Sequence, residues 1–201
     1  MSYHLNAVTP DTDDATALAL LEATTTAVSK SNAASQAMQM GRLEDSISLH
    51  RAALEIKLQA YPESSIQVAI TYNGLGEAFL RSGRLDEADE VLQKALVVRE
   101  RDGPALDAAA TRENIGALRE AQGRFEDARN VRLRGAKKGH MLCSNEHCPI
   151  TEMLPRNQLK TCADCQAPFY CSKDCQKLDW KERHKPLCKL HKSIVVSKTS
   201  L

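Results

Sequence analysis

All seven cysteines of the 201-residue chain lie between Cys143 and Cys188, and this clustering constrains the fold more than any other feature of the sequence. Together with one nearby histidine they form four close pairs. A structural zinc ion takes four sulfur or imidazole nitrogen ligands in a closed tetrahedral site. Eight such ligands therefore predict two bound zinc ions. The predicted ligands are Cys143, Cys148, Cys162, Cys165, Cys171, Cys175, His184 and Cys188.

Disulfide bonds explain the cysteines less well than zinc does. An odd number of cysteines would leave one thiol over. The sequence shows neither an N-terminal signal nor a long apolar span, so we expect a soluble protein of the cytoplasm, the nucleus or both. Disulfides are rare in those compartments. Zinc is therefore the preferred interpretation.

The composition favours packed helices. Aromatic residues make up only 4% of the chain, whereas strands are usually filled with β-branched and aromatic residues. The formal net charge of +1 does not favour a nucleic-acid binder. From Gly139 onward ten Lys or Arg face six Asp or Glu, a formal +4, and seven thiolates with two zinc ions would reduce it to +1.

A six-residue pattern recurs three times before the cysteines. It begins at Gly41, Gly83 and Gly123, with offsets of 42 and 40 residues. A period of this size marks an array of helical hairpins. In each copy the glycine can end one helix in the left-handed conformation, and the acidic pair that follows suits the first turn of the next helix.

These units resemble tetratricopeptide repeats of the kinesin light chain type. The resemblance implies a mainly α fold with helical hairpins over residues 31–138. The outer units depart from the pattern at His50, Arg132 and Gly135, where apolar residues or alanine are expected. The central unit matches the signature at Tyr72, Leu75, Gly76, Phe79, Gly83, Ala88, Leu92 and Ala95.

An N-terminal segment or helix is expected over residues 1–30, before the repeats. Residues 9–14 carry a cap residue, a proline and acids, so a helix is predicted to begin there. The three consecutive threonines at 24–26 weaken the helical pattern, and the sequence does not place the end of this helix.

The repeat resemblance implies a protein-interaction scaffold with a concave groove. The alternative is that three hairpins only hold the zinc module in place or mediate self-association. Several arginines of the third unit could contact an acidic peptide, or they could form a solvated face. They are Arg112, Arg119, Arg129, Arg132 and Arg134.

The segment 139–192 resembles a MYND-type zinc finger. The resemblance rests on Phe169–Gln176, on Trp180 and on His184–Cys188. It implies short β-hairpins followed by a C-terminal helix, and two zinc ions bound in an interleaved pattern. One ion would take Cys143, Cys148, Cys171 and Cys175, and the other Cys162, Cys165, His184 and Cys188.

Two details of the finger stay open. His147 is a rival ligand for Cys148, because the first pair is more widely spaced than in the family. The family also docks short, proline-containing peptides, and the matching positions here are Ser172, Gln176 and Trp180. The alternative is that Trp180 only packs against the zinc core. Residues 193–201 are predicted to form a disordered tail.

We predict a zinc-binding adaptor without enzyme activity. Both sites are filled by protein ligands, which leaves no position for a catalytic water. Some lysine methyltransferases carry a MYND finger in a SET domain, but no sequence remains here for that domain. RING-type ubiquitin ligases place the histidine centrally among their ligands, whereas it is seventh of eight here. The alternatives are an accessory component of a chromatin-modifying or ubiquitin-ligase-type system, and a weak nucleic-acid binder.

Overall fold

The computed structural model of the protein describes residues 14–199 and divides into two compact units. The N-terminal unit ends at Asp102 and the C-terminal unit begins at Gly103. Both are mainly α-helical, and only the C-terminal unit has strands among the described residues, so the predicted fold class is confirmed. No helix of the described part is long and apolar enough to cross a bilayer.

The N-terminal unit consists of two helical hairpins. Helix α1 (Asp14–Gln39) packs on α2 (Leu43–Ala60), and α3 (Ile66–Arg81) packs on α4 (Leu85–Asp102). Helix α2 also packs on α3, which joins the hairpins. Gly41 and Gly83 have φ angles of 75° and 78°, so the predicted left-handed helix ends are confirmed. The buried core includes Val68, Tyr72, Leu75, Phe79, Ala88, Leu92 and Ala95.

Helix α1 crosses the boundary expected at residue 30 without a break. Ala27 and Ala34 are both fully buried, so residues on either side of that boundary belong to one packed face. The threonines at 24–26 bond to carbonyls three or four residues earlier in the same helix, which satisfies their hydroxyls without interrupting it. The predicted helix start falls mostly on residues outside the described part of the chain.

The C-terminal unit begins with the third hairpin. Helix α5 (Ala105–Ala121) packs on α6 (Phe125–Leu133), and the turn between them contains Gly123 at a φ of 74°. Helix α6 has 9 residues, half the length of α2 and α4. It ends where the chain turns back: a Cβ atom on Gly135 would lie 2.2 Å from the carbonyl oxygen of His140. This close approach explains the glycine at that repeat position.

The rest of the C-terminal unit is the finger. A bridge between Met141 and Leu154 precedes an antiparallel pair of short strands, β1 (Lys160–Thr161) and β2 (Phe169–Tyr170). Helix α7 (Lys173–Asp179) continues through a π-helical turn (Trp180–His184) into α8 (Lys185–Thr199). Helix α8 extends through Thr199, into the segment for which the sequence predicts a disordered tail.

The third hairpin shares a hydrophobic core with the finger. Phe125 and Ala128 of α6 are buried in one cluster with Cys162, Cys165 and Cys188. The ring of Phe125 also meets that of His191 edge-on, with centroids 4.8 Å apart. The division at residue 103 therefore differs from the boundary expected at residue 138. The finger and the third hairpin form one compact unit.

Candidate metal centre

The structure gathers the eight candidate ligands into two groups of four. Within each group the ligand atoms all lie within 4.8 Å of one another. His147 belongs to neither group of the described residues: its exposed ring lies 3.7 Å from a carboxylate oxygen of Glu182. Site 1 consists of Cys143, Cys148, Cys171 and Cys175. Site 2 consists of Cys162, Cys165, His184 and Cys188.

The spacing of the ligand atoms fits tetrahedral zinc. Zinc–sulfur bonds of about 2.3 Å place two sulfurs of a tetrahedral site roughly 3.8 Å apart. The Sγ atoms of Cys148 and Cys171 are 3.5 Å apart, and those of Cys162 and Cys188 are 3.8 Å apart. A disulfide would need about 2.05 Å. All seven cysteines are free thiols, so this arrangement suits metal ions and excludes disulfides.

Site 1 is assembled where β2 passes into α7. The backbone of Ser144 is bonded to Phe169, because its N–H donates to the Phe169 carbonyl at 2.7 Å. This pairing brings the loop that carries Cys143 beside the strand that leads to Cys171. Ser172 caps α7, since its hydroxyl accepts the N–H of Cys175 at 3.1 Å. The cap fixes the first turn of the helix and with it the fourth ligand of the site.

Site 2 combines a tight turn with the end of the π-helical turn and the start of α8. The turn from Cys162 to Cys165 closes through Gln166, whose N–H donates to the Cys162 carbonyl at 3.0 Å and whose φ is 57°. His184 ends the π-helical turn, and Cys188 follows one turn later. Each member of this site is buried. A closed structural site is the arrangement that such burial favours.

Burial opposes the ionisation of thiols in both sites. Without a cation, burial raises the pKa of Cys148 and that of Cys188 to about 11, so both would be neutral thiols at physiological pH. A hydrogen bond from Cys165 lowers the pKa of Cys162 to about 3, against the effect of burial. A divalent cation supplies the charge that lets all the sulfurs of a site become thiolates.

A buried carboxylate of the third hairpin contacts the histidine of site 2. His184 Nε2 lies 3.4 Å from the Cys165 sulfur, and its Nδ1 lies 3.2 Å from Glu120 Oε2. Glu120 is fully buried, which would raise the pKa of its carboxyl group. The guanidinium groups of Arg132 and Arg183 overcome this effect and hold that pKa far below its usual range.

The same carboxylate connects to the region of site 1. Arg183 donates to Glu120 Oε2 at 3.0 Å and to Asp179 Oδ1 at 2.8 Å. Asp179 in turn accepts the hydroxyl of Tyr170 at 2.6 Å, and Tyr170 packs with the cysteines of site 1. Burial and the neighbouring Asp179 raise the pKa of Tyr170, which keeps it a neutral donor. A continuous polar network therefore runs between the two sites.

The residues predicted to bind peptides lie at every fourth position of α7 and its flanks. Ser172 is exposed, and Gln176 and Trp180 are partly buried. The indole of Trp180 packs on the cluster around site 2 and meets the His184 ring edge-on, with centroids 5.8 Å apart. Trp180 therefore packs against the core, and part of its surface stays exposed.

Three of the basic residues that the sequence left open are engaged within the C-terminal unit. Arg112 donates to the carbonyl of His140 at 3.0 Å, and Arg129 donates to Gln166 at 2.6 Å. Arg132 is almost fully buried. Lys192 of α8 pairs with Asp164 at 2.9 Å. For these residues the contacts indicate a structural role within the C-terminal unit.

Sequence reasoning missed the pairing of Glu120 with Arg132. Glu120 lies at a repeat position that is apolar in the other hairpins, where Met38 and Leu80 stand. Arg132 lies where the second hairpin has Leu92 and the first has His50. Only the arginine was recognised as a departure. The sequence does carry a signal for this pair, because two opposite charges occupy two inward-facing positions of the same hairpin.

Comparisons with known proteins agree with this architecture. A family model described as tetratricopeptide repeat matches residues 25–101 and 67–131, together more than half of the chain. A second model, the MYND finger, matches residues 143–188.

Three of the curated proteins to which the chain is similar illustrate the match, and all three come from Arabidopsis thaliana. The protein kinesin light chain-related 2 is 36% identical over 93 residues, which is 44% of this chain and 14% of the relative. Kinesin light chain-related 3 is 33% identical over 91 residues, 44% of this chain and 14% of that protein. An F-box protein is 42% identical over 50 residues, 25% of this chain and 13% of that protein. The chain thus spans only a small part of each relative. No solved structure matches it.

Proposed function

The chain belongs to the tetratricopeptide-repeat family and carries a MYND finger, and from this premise we propose that it is a zinc-binding adaptor that docks short peptides. Both families are typically non-catalytic interaction modules. The observation that carries the proposal is the pair of closed ligand groups, each with four soft donor atoms within 4.8 Å. Zinc there would stabilise the finger and leave no open position for a reacting water.

The two groups support a capacity of two zinc ions per chain. The donor sets are four thiolates in site 1, and three thiolates with one imidazole in site 2. Both sets are common for structural zinc. When bound, the ion supplies cross-linking between distant segments. This chain's own residues orient the donors, and the buried cluster around site 2 excludes water from that site.

The proposed peptide site is the side of α7 that carries Ser172, Gln176 and Trp180. The amide of Gln176 can exchange hydrogen bonds with an extended peptide backbone, and the exposed part of Trp180 offers an aromatic surface for a proline ring. Its edge contact with His184 fixes the indole beside site 2. Proline-containing peptides suit such a surface because their extended conformation is already ordered before binding.

Pull-down from cell extract tests the peptide site. The full chain is compared with Gln176→Ala and Trp180→Ala variants, and Lys177→Ala serves as the matched control because its side chain is highly exposed on the same helix. Zinc content is measured for every sample, which separates lost recognition from lost folding. We expect the two test variants to lose a shared set of proline-containing partners that the control keeps. Identical partner lists for all four proteins would contradict the proposed site.

A further inference from the structure

We propose that Glu120, a residue of the third repeat hairpin, is a positioning residue for the zinc ion of site 2. The inference rests on the proposed zinc binding. It adds that this site extends beyond the finger that the ligand pattern defines, because Glu120 precedes the first cysteine by 23 positions. The repeat scaffold would then complete the metal site, in addition to displaying it.

The orientation of His184 is the first step. Its Nε2 faces the Cys165 sulfur at 3.4 Å, and its Nδ1 faces Glu120 Oε2 at 3.2 Å. An imidazole that binds a metal through one nitrogen carries a proton on the other. Zinc at Nε2 therefore leaves an Nδ1–H that donates to Glu120. This hydrogen bond selects the tautomer, fixes the plane of the ring and increases the donor strength of Nε2.

The fixed orientation of the Glu120 carboxylate is the second step. Oε1 accepts from Arg132 Nη1 at 2.5 Å, while Oε2 accepts from Arg183 Nη1 at 3.0 Å and faces His184. Both oxygens are thus engaged in the buried interior. A carboxylate held in this way cannot rotate away from the imidazole without leaving the buried Arg132 and the partly buried Arg183 short of a partner.

The reach of Arg132 is the third step. Its Nη1 also donates to the carbonyl of Ala167 at 3.1 Å, which follows the turn that carries Cys162 and Cys165. The guanidinium lies directly over Gly116, where an added Cβ would be 2.5 Å from Cζ. One side chain of α6 therefore joins α5, the carboxylate and the metal-binding turn. Its position shows that the hairpin and site 2 are built together.

Glu113 provides the matched control. It also pairs with Arg132, at 2.7 Å from Nη2, and its side chain is 19% exposed. Its carboxylate accepts from Arg132 Nε and pairs with Arg132 Nη2, and among the described residues it makes no hydrogen bond to His184. Replacing Glu113 by glutamine therefore perturbs the same arginine and leaves the histidine contact in place. Glu120→Gln removes the charge that faces the imidazole.

The decisive measurement is the metal affinity of site 1 and of site 2, determined separately for each variant. Cobalt(II) replaces zinc in the full chain, and its absorption bands distinguish a four-thiolate site from a site with one imidazole. Competition with a chelator then gives the affinity of each site. We expect Glu120→Gln to weaken site 2 by about 10- to 100-fold and to shift its bands, with site 1 nearly unchanged. Glu113→Gln should leave both sites near the wild-type values. Equal affinities and equal spectra for the two variants would overturn the proposal.

A measurement on the unaltered protein guards against a variant that fails to fold. Histidine ¹⁵N NMR of the zinc-loaded full chain reports which nitrogen of His184 binds the metal. We expect metal at Nε2 and a slowly exchanging proton at Nδ1. Metal at Nδ1, or an Nδ1 proton that exchanges as fast as an exposed one, would overturn the role of Glu120. If the wild-type chain binds no zinc, the proposed function fails first, and the two failures are thereby distinguished.

Discussion

The second and third hairpins place different chemistry at the same repeat position. In the second, Leu92 lies against Gly76, where an added Cβ would be 2.5 Å from its Cγ atom. In the third, Arg132 lies against Gly116 with the same 2.5 Å separation, measured to Cζ. In both hairpins a side chain of the second helix occupies the space beside the glycine equally closely. Only the side chain that fills the space differs.

The difference teaches how a repeat can be adapted to hold a second module. Leu92 stabilises its hairpin by burying apolar surface, which requires no particular partner. Arg132 is just as buried but needs carboxylates, and it finds them at Glu113 and Glu120. It also bonds to the backbone of the finger. Arg132 therefore replaces nonspecific apolar packing with specific bonds that attach the hairpin to the finger.

The largest test of this comparison is removal of the metal. We expect a strong chelator to abolish the fold of residues 139–199 and to loosen the third hairpin, because structural zinc contributes about 10 kcal/mol or more to such modules. The N-terminal unit should stay helical, since its core is apolar. Hydrogen exchange measured by peptide mass spectrometry checks this. Equal loss of protection in residues 14–102 would break the comparison.

The second test exchanges the chemistry at the shared position. Arg132→Leu restores the apolar repeat residue, yet we expect a loss of about 3–5 kcal/mol in unfolding free energy, because Glu120 then keeps a buried charge with one partner fewer. Leu92→Ala should cost about 2–5 kcal/mol in the N-terminal unit through the cavity that it leaves. Local hydrogen exchange assigns each loss to its unit. A stabilised Arg132→Leu protein would show that the arginine is not an anchor.

A third test uses His50, which occupies the same repeat position in the first hairpin. Burial, and then the charge of Lys57, lower the pKa of His50 from 6.5 to about 4, and neither ring nitrogen has a hydrogen-bond partner among the described residues. The folded state therefore favours neutral His50. The contribution of neutral His50 to the free energy of unfolding is fully present above pH 6.5 and is lost as the pH drops toward 4. The loss is about 2 kcal/mol between pH 7 and pH 5.

Hydrogen exchange of α2 at the two pH values measures this loss in the N-terminal unit alone. In a His50→Gln variant the same comparison should show a much smaller change, because glutamine does not titrate. An unchanged pH dependence in the variant would assign the effect to other groups.

The smallest test compares helix caps in the two units. Ser65 caps α3 by accepting the N–H of Val68 at 3.4 Å, and Ser172 caps α7 through Cys175 at 3.1 Å. Alanine at either position should cost about 1 kcal/mol. We expect Ser172→Ala also to speed zinc loss from site 1, because the capped turn holds Cys175. Thermal unfolding measures the stability loss of each variant, and the rate at which a chelator removes zinc tests the effect on site 1.

Much of the architecture follows from the sequence because its signals are local. The glycines at 41, 83 and 123 predict the helix ends, since few other residues adopt positive φ without strain. The spacing of the cysteines is a local signal too, and it indicates the candidate ligands. The end of α1 was not predicted, because the threonines at 24–26 lower helix propensity while packing of Ala27 and Ala34 maintains the helix.

The attachment between hairpin and finger was not predicted, because it depends on contacts between residues far apart in sequence. Glu120 and Arg183 are 63 positions apart, and no periodicity relates them. Arg183 lies outside the predicted ligand pattern. Its neighbour His184 was predicted as a ligand and lies in one of the two groups of four, but a ligand pattern carries no information about what contacts the other ring nitrogen.

The short helix α6 has a practical consequence for anyone who wishes to transplant the finger. A graft that starts at Gly139 would contain all eight candidate donors. It would also expose to solvent the apolar surface that Phe125 and Ala128 cover. It would also leave Arg183 without the acidic companion supplied by α5. A graft that starts at Gly103 includes the two residues that cover this surface, so the portable piece is more than twice as long as the stretch from Cys143 to Cys188 that holds the metal-binding pattern.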